Sequence, residues 1–267
     1  MRITHPQATF QGIPPQDMFF VSNERQVQLG SGYVISSFQR ELYPARPLNI
    51  YIQIDSQPSA RSLLFGALLA RAEVIRAQTP DIPTRLYTQL PVEADELLNF
   101  YQRSGLVLDD AEDMFGFSPD LLADGRTPMG LQYASVPLEG DAQQDAFLRR
   151  LNAMRIAPIQ RDQLTLWREQ SNFLALGFYR GGQPVTELMT VGNGEQAILV
   201  AIYTRAENRK QGLATALMGL AGNVLKERGV EQVFANIFRR NAPQVALMKK
   251  LNAQFIRTAT LLPGMNL

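Results

Sequence analysis

Hydrophobic residues in the second half of the chain follow two periods, one typical of strands and one typical of helices. Short runs rich in β-branched and aromatic residues, separated by glycine turns, predict strands. A longer run from Gly212 to Arg228 repeats apolar residues at helical spacing, and Gly229 after it favours a helix end. In chain order the pattern predicts a strand at 131–139, helices at 141–154 and 160–170, strands at 173–179, 185–191 and 197–204, a helix at 212–228, a strand at 230–238 and a helix at 241–252.

The first half shows a similar but less regular pattern. Short strands are predicted within 19–37, followed by a strand at 47–55, a helix at 59–78, a strand at 84–90 and a helix at 92–105. The order strand, helix, strand, helix therefore occurs in both halves, which indicates two similar domains. Proline, glycine and aspartate turns at 113–130 predict the boundary, so we expect domains at 1–125 and 126–267. The fold class expected is α/β, of the α+β type: each half is a mixed, mostly antiparallel sheet flanked by helices.

The composition excludes several classes of protein. The formal net charge is +1, so the chain has no surplus of basic residues for nucleic acid. It contains no cysteine and one histidine, His5, which argues against thiolate metal sites, histidine-rich metal clusters and a catalytic triad. No apolar run approaches the roughly 20 residues of a membrane span, and the first residues lack the apolar core of a signal peptide. We expect a cytoplasmic protein with no metal, membrane or nucleic-acid partner.

The loop before the helix at 212–228 is the clearest candidate for chemistry. Arg209, Lys210, Gln211 and Gly212 stand where a strand feeds into a helix N-terminus, whose unpaired amides and dipole can hold a phosphate. Glycine would let the backbone approach an anion closely. The loop has neither the Gly-Lys-Ser/Thr of a P-loop nor the glycine spacing of a dinucleotide fold. Taken alone, it is either such an anion site or an ordinary solvated helix start.

The surrounding sequence resembles a known family. The segment from Ala201 to Phe255, AIYTRAENRKQGLATALMGLAGNVLKERGVEQVFANIFRRNAPQVALMKKLNAQF, is similar to the GNAT superfamily of acetyl-CoA-dependent N-acyltransferases. A strand, a loop, a long helix, a strand, an asparagine and a helix follow in that family's order, and the resemblance covers roughly 131–259. It implies a tandem form in which both halves are GNAT-like domains.

The resemblance also implies which residues hold acetyl-CoA, the co-substrate. Amides of the loop and the first helical turn would bind the pyrophosphate. The strand that ends at 202–204 would pair with the pantetheine arm, with amides facing the thioester carbonyl as an oxyanion hole. Asn241 matches the family's second CoA-side motif. The implied binding residues are Ile202, Thr204, Arg209, Lys210, Gln211, Gly212, Leu213, Ala214, Thr215 and Asn241.

The sequence departs from the family pattern at the residues of catalysis. Met248 stands where the family has a tyrosine that protonates the leaving thiolate, and a thioether cannot donate a proton. The strand at 197–204 lacks the carboxylate that some members use as general base. Glu187, on the preceding strand, is the catalytic candidate, and Glu195 could act through water; alternatively each is a solvated surface charge. The chain also continues for only about a dozen residues after Phe255, so the last strand of this sheet is absent, or is supplied by another segment or a partner chain.

The N-terminal half is expected to be a degenerate copy that does not bind CoA. Aligning RSLLFG (61–66) with RKQGLA places Leu64 at the position of Gly212, where its side chain would obstruct a pyrophosphate. Pro58 removes an amide from the preceding loop. Tyr101 falls at the family's thiolate-acid position; it either serves the C-terminal site or packs as a structural residue.

The expected activity is transfer of an acetyl group from acetyl-CoA to an amine by direct attack. Expected partners are a small-molecule amine or a peptide N-terminus, with a second copy of the chain in a homodimer. Two alternatives stay open. One is a non-catalytic acyl-CoA-binding sensor or scaffold, which Met248 and the carboxylate-free strand favour. The other is a protein-interaction module without a ligand. Aminoacyl transfer from tRNA is disfavoured by the near-neutral charge.

Overall fold

The computed structural model describes residues 1–10, 12–122, 125–155 and 158–267. The strands in these ranges are β1 (Arg2–Thr4), β2 (Met18–Ser22), β3 (Gln28–Phe38), β4 (Leu48–Ser56), β5 (Thr84–Tyr87), β6 (Val107–Phe117), β7 (Gln132–Ser135), β8 (Leu174–Arg180), β9 (Gln183–Val191), β10 (Gln196–Thr204), β11 (Gln232–Phe238) and β12 (Gln254–Asn266). The helices are α1 (Pro58–Ala77), α2 (Asp95–Arg103), α3 (Asp141–Asn152), α4 (Arg161–Arg168), α5 (Leu213–Glu227) and α6 (Ala242–Lys250). Short 3-10 turns lie at Pro15–Asp17, Pro119–Leu121 and Ala206–Asn208.

The chain divides into two compact units. Unit 1 comprises Met1–Ala111 together with Thr260–Leu267, and unit 2 comprises Glu112–Ala259. These units differ from the sequence-predicted domains, 1–125 and 126–267, in two segments: 112–125 lies with unit 2, and 260–267 lies with unit 1. Both units contain the order strand, helix, strand, helix that the sequence pattern predicted, as β4, α1, β5 and α2 in unit 1 and β10, α5, β11 and α6 in unit 2.

Unit 1 is a mixed sheet with helices on one face. Its strand order is β1-β2-β3-β4-β5-β12, and all pairs are antiparallel except the parallel pair β4–β5. Helix α1 packs on this sheet because its apolar residues recur every four positions along one side. The buried residues of that side are Ala60, Leu64, Leu68 and Ala72, and they join the strand residues Val34, Ile50 and Ile52 in one core.

Unit 2 has helices on both faces of its sheet. The strand order is β6-β11-β10-β9-β8-β7, with β10–β11 as the parallel pair. Helices α5 and α6 cover one face, where Leu217 and Leu225 of α5 are buried against strand residues such as Leu188. Helices α3 and α4 cover the other face, with Phe147 and Leu164 in a second core. Unit 2 is thus a three-layer α/β structure.

Strands β6 and β12 were not predicted from the sequence. Residues 112–117 of β6 pair with β11, and residues 264–266 of β12 pair with β5. The last strand of the sheet in unit 2 is therefore supplied by another segment of the chain, which was one of the three alternatives. Four acids make β6 look like a surface loop. Two of them are paired with arginines, Asp109 with Arg85 and Asp113 with Arg239, so the acidic strand is tolerated.

None of the helices in the described ranges is both long and apolar enough to cross a membrane.

Candidate active site

The parallel strands β10 and β11 separate part of the way along their length. Their ladder covers three residue pairs, from Gln196–Gln232 to Ile198–Phe234. Beyond it, β10 remains paired with β9 as far as Thr204, and β11 remains paired with β6 as far as Phe238. A bulge between Leu199 and Ala201 marks the point of separation. The strands diverge there and leave facing backbone edges, into which an extended ligand could be inserted as an additional strand.

The open edge of β10 leads directly into a loop with left-handed backbone. Lys210 has φ 62° and Gly212 has φ 78°, and between them they turn the chain into α5. A positive φ is uncommon for lysine, and such outliers concentrate at functional sites. Arg209 ties the loop to the strand, because its Nε donates to the carbonyl of Thr204 at 3.1 Å. The loop is therefore held in a defined shape at the end of β10.

The first turn of α5 presents uncapped amides. The first helical hydrogen bond is donated by the N–H of Ala216 to the carbonyl of Gly212, at 3.0 Å. The amides of Leu213, Ala214 and Thr215 precede this bond and have no helical partner. Gly212 is the N-cap and contributes no side-chain cap. An added Cβ at Gly212 would meet nothing within 4 Å, so the space in front of the helix is open.

Asn241 contributes a polar group at the same edge of the sheet. Because β10 and β11 are parallel, the N-termini of α5 and α6, which follow them, lie at the same end of the strands. Asn241 is the N-cap of α6, and its Oδ1 accepts from the N–H of Gln244 at 3.1 Å. Its side chain is buried, and Nδ2 has no partner among the described residues. A buried donor without a partner is rare and is consistent with a ligand site.

Glu187 is neither a solvated surface charge nor an accessible carboxylate. It is 0% exposed, and its two oxygens accept from Nε and Nη2 of Arg150 at 2.6 and 2.8 Å. The hydroxyl of Tyr179 also donates to Oε1, at 3.2 Å. Burial and the Glu187 charge raise the pKa of Tyr179 above its usual value. This geometry suits an ion pair with a structural or positioning role, and it is poorly suited to a general base, which must be able to reach the acceptor's proton.

Two other sequence candidates are poorly placed for proton transfer at the open edge. Met248 is 2% exposed and belongs to the core between the sheet and helices α5 and α6. Glu195 is exposed and directly precedes β10, and its carbonyl accepts from the amides of Glu231 and Gln232. Thr204 lies nine residues further along a strand that rises about 3.3 Å per residue, which puts about 30 Å between the two ends. A single water could not connect them.

The alignment that placed Leu64 opposite Gly212 is wrong. Helix α1 begins at Pro58, directly after β4, so Leu64 lies two turns inside the helix and is buried in the core of unit 1. The residue equivalent to Gly212 is the N-cap, Gln57. Pro58 has no N–H, and the amide of Ala60 is already bonded to the carbonyl of Gln57 at 3.1 Å. Unit 1 therefore has no counterpart of the loop at 209–212, because no left-handed turn precedes its helix.

Tyr101 is a packed residue of unit 1. It is 1% exposed and lies edge-on to Phe65 and Phe100, with ring centroids 6.0 and 5.2 Å away. Burial raises its pKa, against the opposing effect of a hydrogen bond with Thr88. This environment is that of a structural tyrosine.

Two arginines that the sequence analysis did not single out lie on the α3 side of unit 2. Arg150 pairs with Glu187 as described, and Arg155 donates from Nη1 to the carbonyl of Val200, the bulged residue of β10, at 2.5 Å. Arginines in an amphipathic helix usually mark its solvated side. The sequence therefore carried no signal that distinguished these two from their neighbours.

Comparison with solved structures identifies the fold. The chain is similar to a GCN5-related N-acetyltransferase from Sphaerobacter thermophilus, with 14% identity, 96% of this chain and 82% of that chain covered, and a TM-score of 0.51. It is similar to Eis1 from Mycobacterium abscessus, with 10% identity, 98% and 73% coverage, and a TM-score of 0.56. It is also similar to a GCN5-related N-acetyltransferase from Anabaena variabilis ATCC 29413, with 13% identity, 95% of this chain and 63% of that chain covered, and a TM-score of 0.54. At these identities the likeness establishes a GCN5-related N-acetyltransferase fold.

A family model matches one part of the chain by sequence. Residues 144–253 match the Acetyltransferase (GNAT) family, so this part of the chain is a GNAT domain. The match includes the open edge of β10, the loop, α5 and α6. No curated protein sequence matches the chain. The class of activity that the family defines is acyl-CoA-dependent N-acetyl transfer.

Proposed function

We propose that unit 2 binds acetyl-CoA and transfers its acetyl group to an amine. The proposal is carried by one observation: the open edge of β10 runs without interruption into the left-handed loop and the uncapped amides of α5. An extended arm that bears a pyrophosphate at one end matches this succession, because the strand edge offers backbone pairing and the helix start offers an anion site.

Different residues bind different parts of acetyl-CoA. Amides from Lys210 to Thr215 hold the pyrophosphate, and the ammonium of Lys210 adds charge. Ile202 and Thr204 offer backbone groups to the pantetheine arm. Arg209 has a positioning role, since its guanidinium fastens the loop to the carbonyl of Thr204. Asn241 offers Nδ2 from the start of α6.

The reaction is a direct displacement. The amine nitrogen attacks the thioester carbonyl carbon, the C–S bond breaks, the thiolate leaves with the electron pair, and the amine loses a proton to solvent or to a base. Amides of the open β10 edge stabilise the oxyanion that forms. The thiolate of a thiol with a pKa near 8.5 leaves without a proton donor more readily than an alkoxide does. Met248 in place of a tyrosine is therefore compatible with turnover.

Calorimetric titration with acetyl-CoA tests the binding site, using Gly212→Trp and a matched control, Gly229→Trp. Both glycines have φ 78°, and neither has an atom within 4 Å of an added Cβ. They lie at opposite ends of α5, so the two variants share backbone strain and bulk but differ in position. We expect one site per chain in the wild type and in Gly229→Trp, and affinity at least about 100-fold weaker in Gly212→Trp, as several charged hydrogen bonds are lost. Equal affinity in both variants would refute the site.

A non-catalytic acyl-CoA-binding role is the second candidate. The pairing of Glu187 with Arg150 and the burial of Met248 favour it, because both remove a family-type acid or base from the site. Release of free thiol on incubation with acetyl-CoA and a panel of amines distinguishes the two. Tight binding with no amine-dependent release above the hydrolysis rate would support the sensor.

A further inference from the structure

The ion pair between Glu187 and Arg150 lies beside the open part of β10. Glu187 is directly opposite Tyr203 in the ladder between β9 and β10. Strands are about 4.8 Å apart, so the pair is one strand away from the backbone that would hold the acyl group. Arg150 projects from α3, and the α3 side of the sheet is the side on which Ala201 and Tyr203 pack. An acceptor that approaches β10 from this side meets Arg150.

The surroundings of Glu187 are built to hold the arginine in one orientation. Glu187 receives both Arg150 nitrogens and the Tyr179 hydroxyl, so the carboxylate is held from two directions. Gly177, opposite Glu187 on β8, leaves room for them: a Cβ there would lie 2.9 Å from Cε2 of Tyr179 and 3.1 Å from Cγ of Glu187. A buried ion pair contributes little net stability compared with an apolar replacement. Its stability alone does not account for this arrangement.

The guanidinium has a second edge. Glu187 accepts from Nε and Nη2, which form one edge of the planar guanidinium. The donors of Nη1, on the other side of the group, are therefore directed away from the carboxylate. The Arg150 side chain is 25% exposed, whereas that of Glu187 is 0% exposed. Within the described ranges, the side chain of Arg150 makes no hydrogen bond or ion pair other than those with Glu187. The edge opposite Glu187 is thus available to a ligand that enters from solvent.

A second guanidinium adds positive charge on the same side. Arg155 follows the end of α3 and is fixed at the bulge of β10 through the carbonyl of Val200. Burial lowers the pKa of Arg155, while the charge of Glu112 acts in the opposite direction.

We propose that Arg150 binds a carboxylate of the acceptor, so that the preferred acceptors are amines that carry a carboxylate a few atoms away, as amino acids do. In this proposal, which rests on the proposed function, Glu187 is a positioning residue that orients Arg150. Because the ion pair lies one strand away from the backbone of β10, an acceptor whose carboxylate contacts Arg150 and whose amine reaches the acyl group must have the two groups close together. Arginine suits this role because its planar fork matches carboxylate geometry.

The test compares acetylation of α-amino acids with that of their carboxamides, using acetyl-CoA. For each protein we take the kcat/KM for the acid divided by the kcat/KM for the amide. The wild-type ratio is then divided by the ratio of each variant, so that the difference in amine pKa between acid and amide cancels. Arg150→Met alone would leave Glu187 buried and unpaired, so the variant is Arg150→Met with Glu187→Met, which removes the pair together. Arg149→Met is the matched control, because Arg149 is an exposed arginine of the same helix.

We expect the double variant to lose about 10- to 100-fold in this ratio through KM, while Arg149→Met leaves it unchanged. Arg150→Lys should retain part of the preference, because its point charge lacks the fork. Calorimetric titration of the wild-type protein with the same amino acids and carboxamides measures the carboxylate contact even without turnover. An equal affinity for acid and amide would overturn the proposal. Acetylation of amines with no preference for the carboxylate also overturns it and leaves the acetyltransferase function standing. If the wild-type protein did not bind acetyl-CoA, by contrast, that result would contradict the proposed function itself.

Discussion

The contact between β12 and β5 in unit 1 is predicted to depend on one glycine. Gly264 is opposite Tyr87 in the antiparallel ladder. A Cβ added there would lie 2.7 Å from Nη2 of Arg85 and 2.7 Å from the carbonyl oxygen of Leu86. Arg85 is 1% exposed, and the same Nη2 donates to Asp109 and, at 2.7 Å, to the carbonyl of Leu262. Gly264→Ala would therefore press on a buried guanidinium and on backbone together.

The magnitude follows from three contributions. Overpacking in a closely packed region costs about 1–3 kcal/mol, and the backbone oxygen of Leu86 cannot rotate away as a side chain could. Displacement of Arg85 weakens at least one charged hydrogen bond, worth about 1.5–3 kcal/mol. Alanine lowers the entropy of the unfolded chain, which returns about 0.4–1 kcal/mol. We expect Gly264→Ala to lower the free energy of unfolding by about 2–4 kcal/mol.

Urea unfolding followed by far-ultraviolet circular dichroism measures this loss, and hydrogen exchange locates it. The amides of Thr88 and Leu90 donate to the carbonyls of Pro263 and Leu261 at 3.1 and 2.9 Å, so their protection should fall. The control is Gly66→Ala, on the exposed side of α1, where a Cβ meets nothing within 4 Å. That change should raise stability by about 0.5–1 kcal/mol. Equal stability of Gly264→Ala and wild type, with unchanged exchange at Thr88, would refute the reasoning.

Three further outcomes are expected. Burial raises the pKa of Tyr87 to about 12. Between about pH 10 and 12 the phenol ionises in the unfolded chain but not in the folded one, so the contribution of Tyr87 to stability is complete below that range and is lost across it. Tyr87→Phe should therefore reduce the alkaline loss of unfolding free energy by about 2–3 kcal/mol, as measured by unfolding experiments across that range. Met248→Leu should cost less than about 1.5 kcal/mol, whereas Met248→Tyr should cost about 1–3 kcal/mol and give no added acetyl transfer, as measured by thermal unfolding and thiol release. Asn241→Ser should keep the cap on the Gln244 amide and the stability of the protein, while Asn241→Ala costs about 1 kcal/mol; both should weaken acetyl-CoA binding in calorimetry through loss of Nδ2.

The sequence predicted well wherever short-range patterns determine the structure. Helix α5 begins at Leu213 and the left-handed Gly212 precedes it, as the change in pattern at that glycine indicated. Strands β8 to β11 occur where glycine turns separate apolar runs, with ends displaced by a few residues. In these segments, periodicity and turn chemistry agree with the tertiary structure.

The sequence could not predict features that depend on distant partners. Strand β6 contains acids whose partners, such as Arg85 and Arg239, lie far away in the chain, so the strand looked like a solvated loop. The burial of Glu187 depends on Arg150, 37 positions earlier, and no local pattern couples the two. The start of α1 was misaligned because a helix that directly follows its strand has no loop to fix the register. These are effects of tertiary structure overriding local propensity.

The membership of residues 260–267 in unit 1 has a consequence for synthesis of the chain. A ribosome completes Met1–Ala111 and must then add all of Glu112–Ala259 before the strand that pairs with β5 exists. At about 5–20 residues per second, that interval is on the order of ten seconds. During it, the edge of β5 is unpaired and open to association with other nascent chains. The N-terminal unit therefore matures last, and slower or faster translation of unit 2 should change how long a newly made chain depends on chaperones.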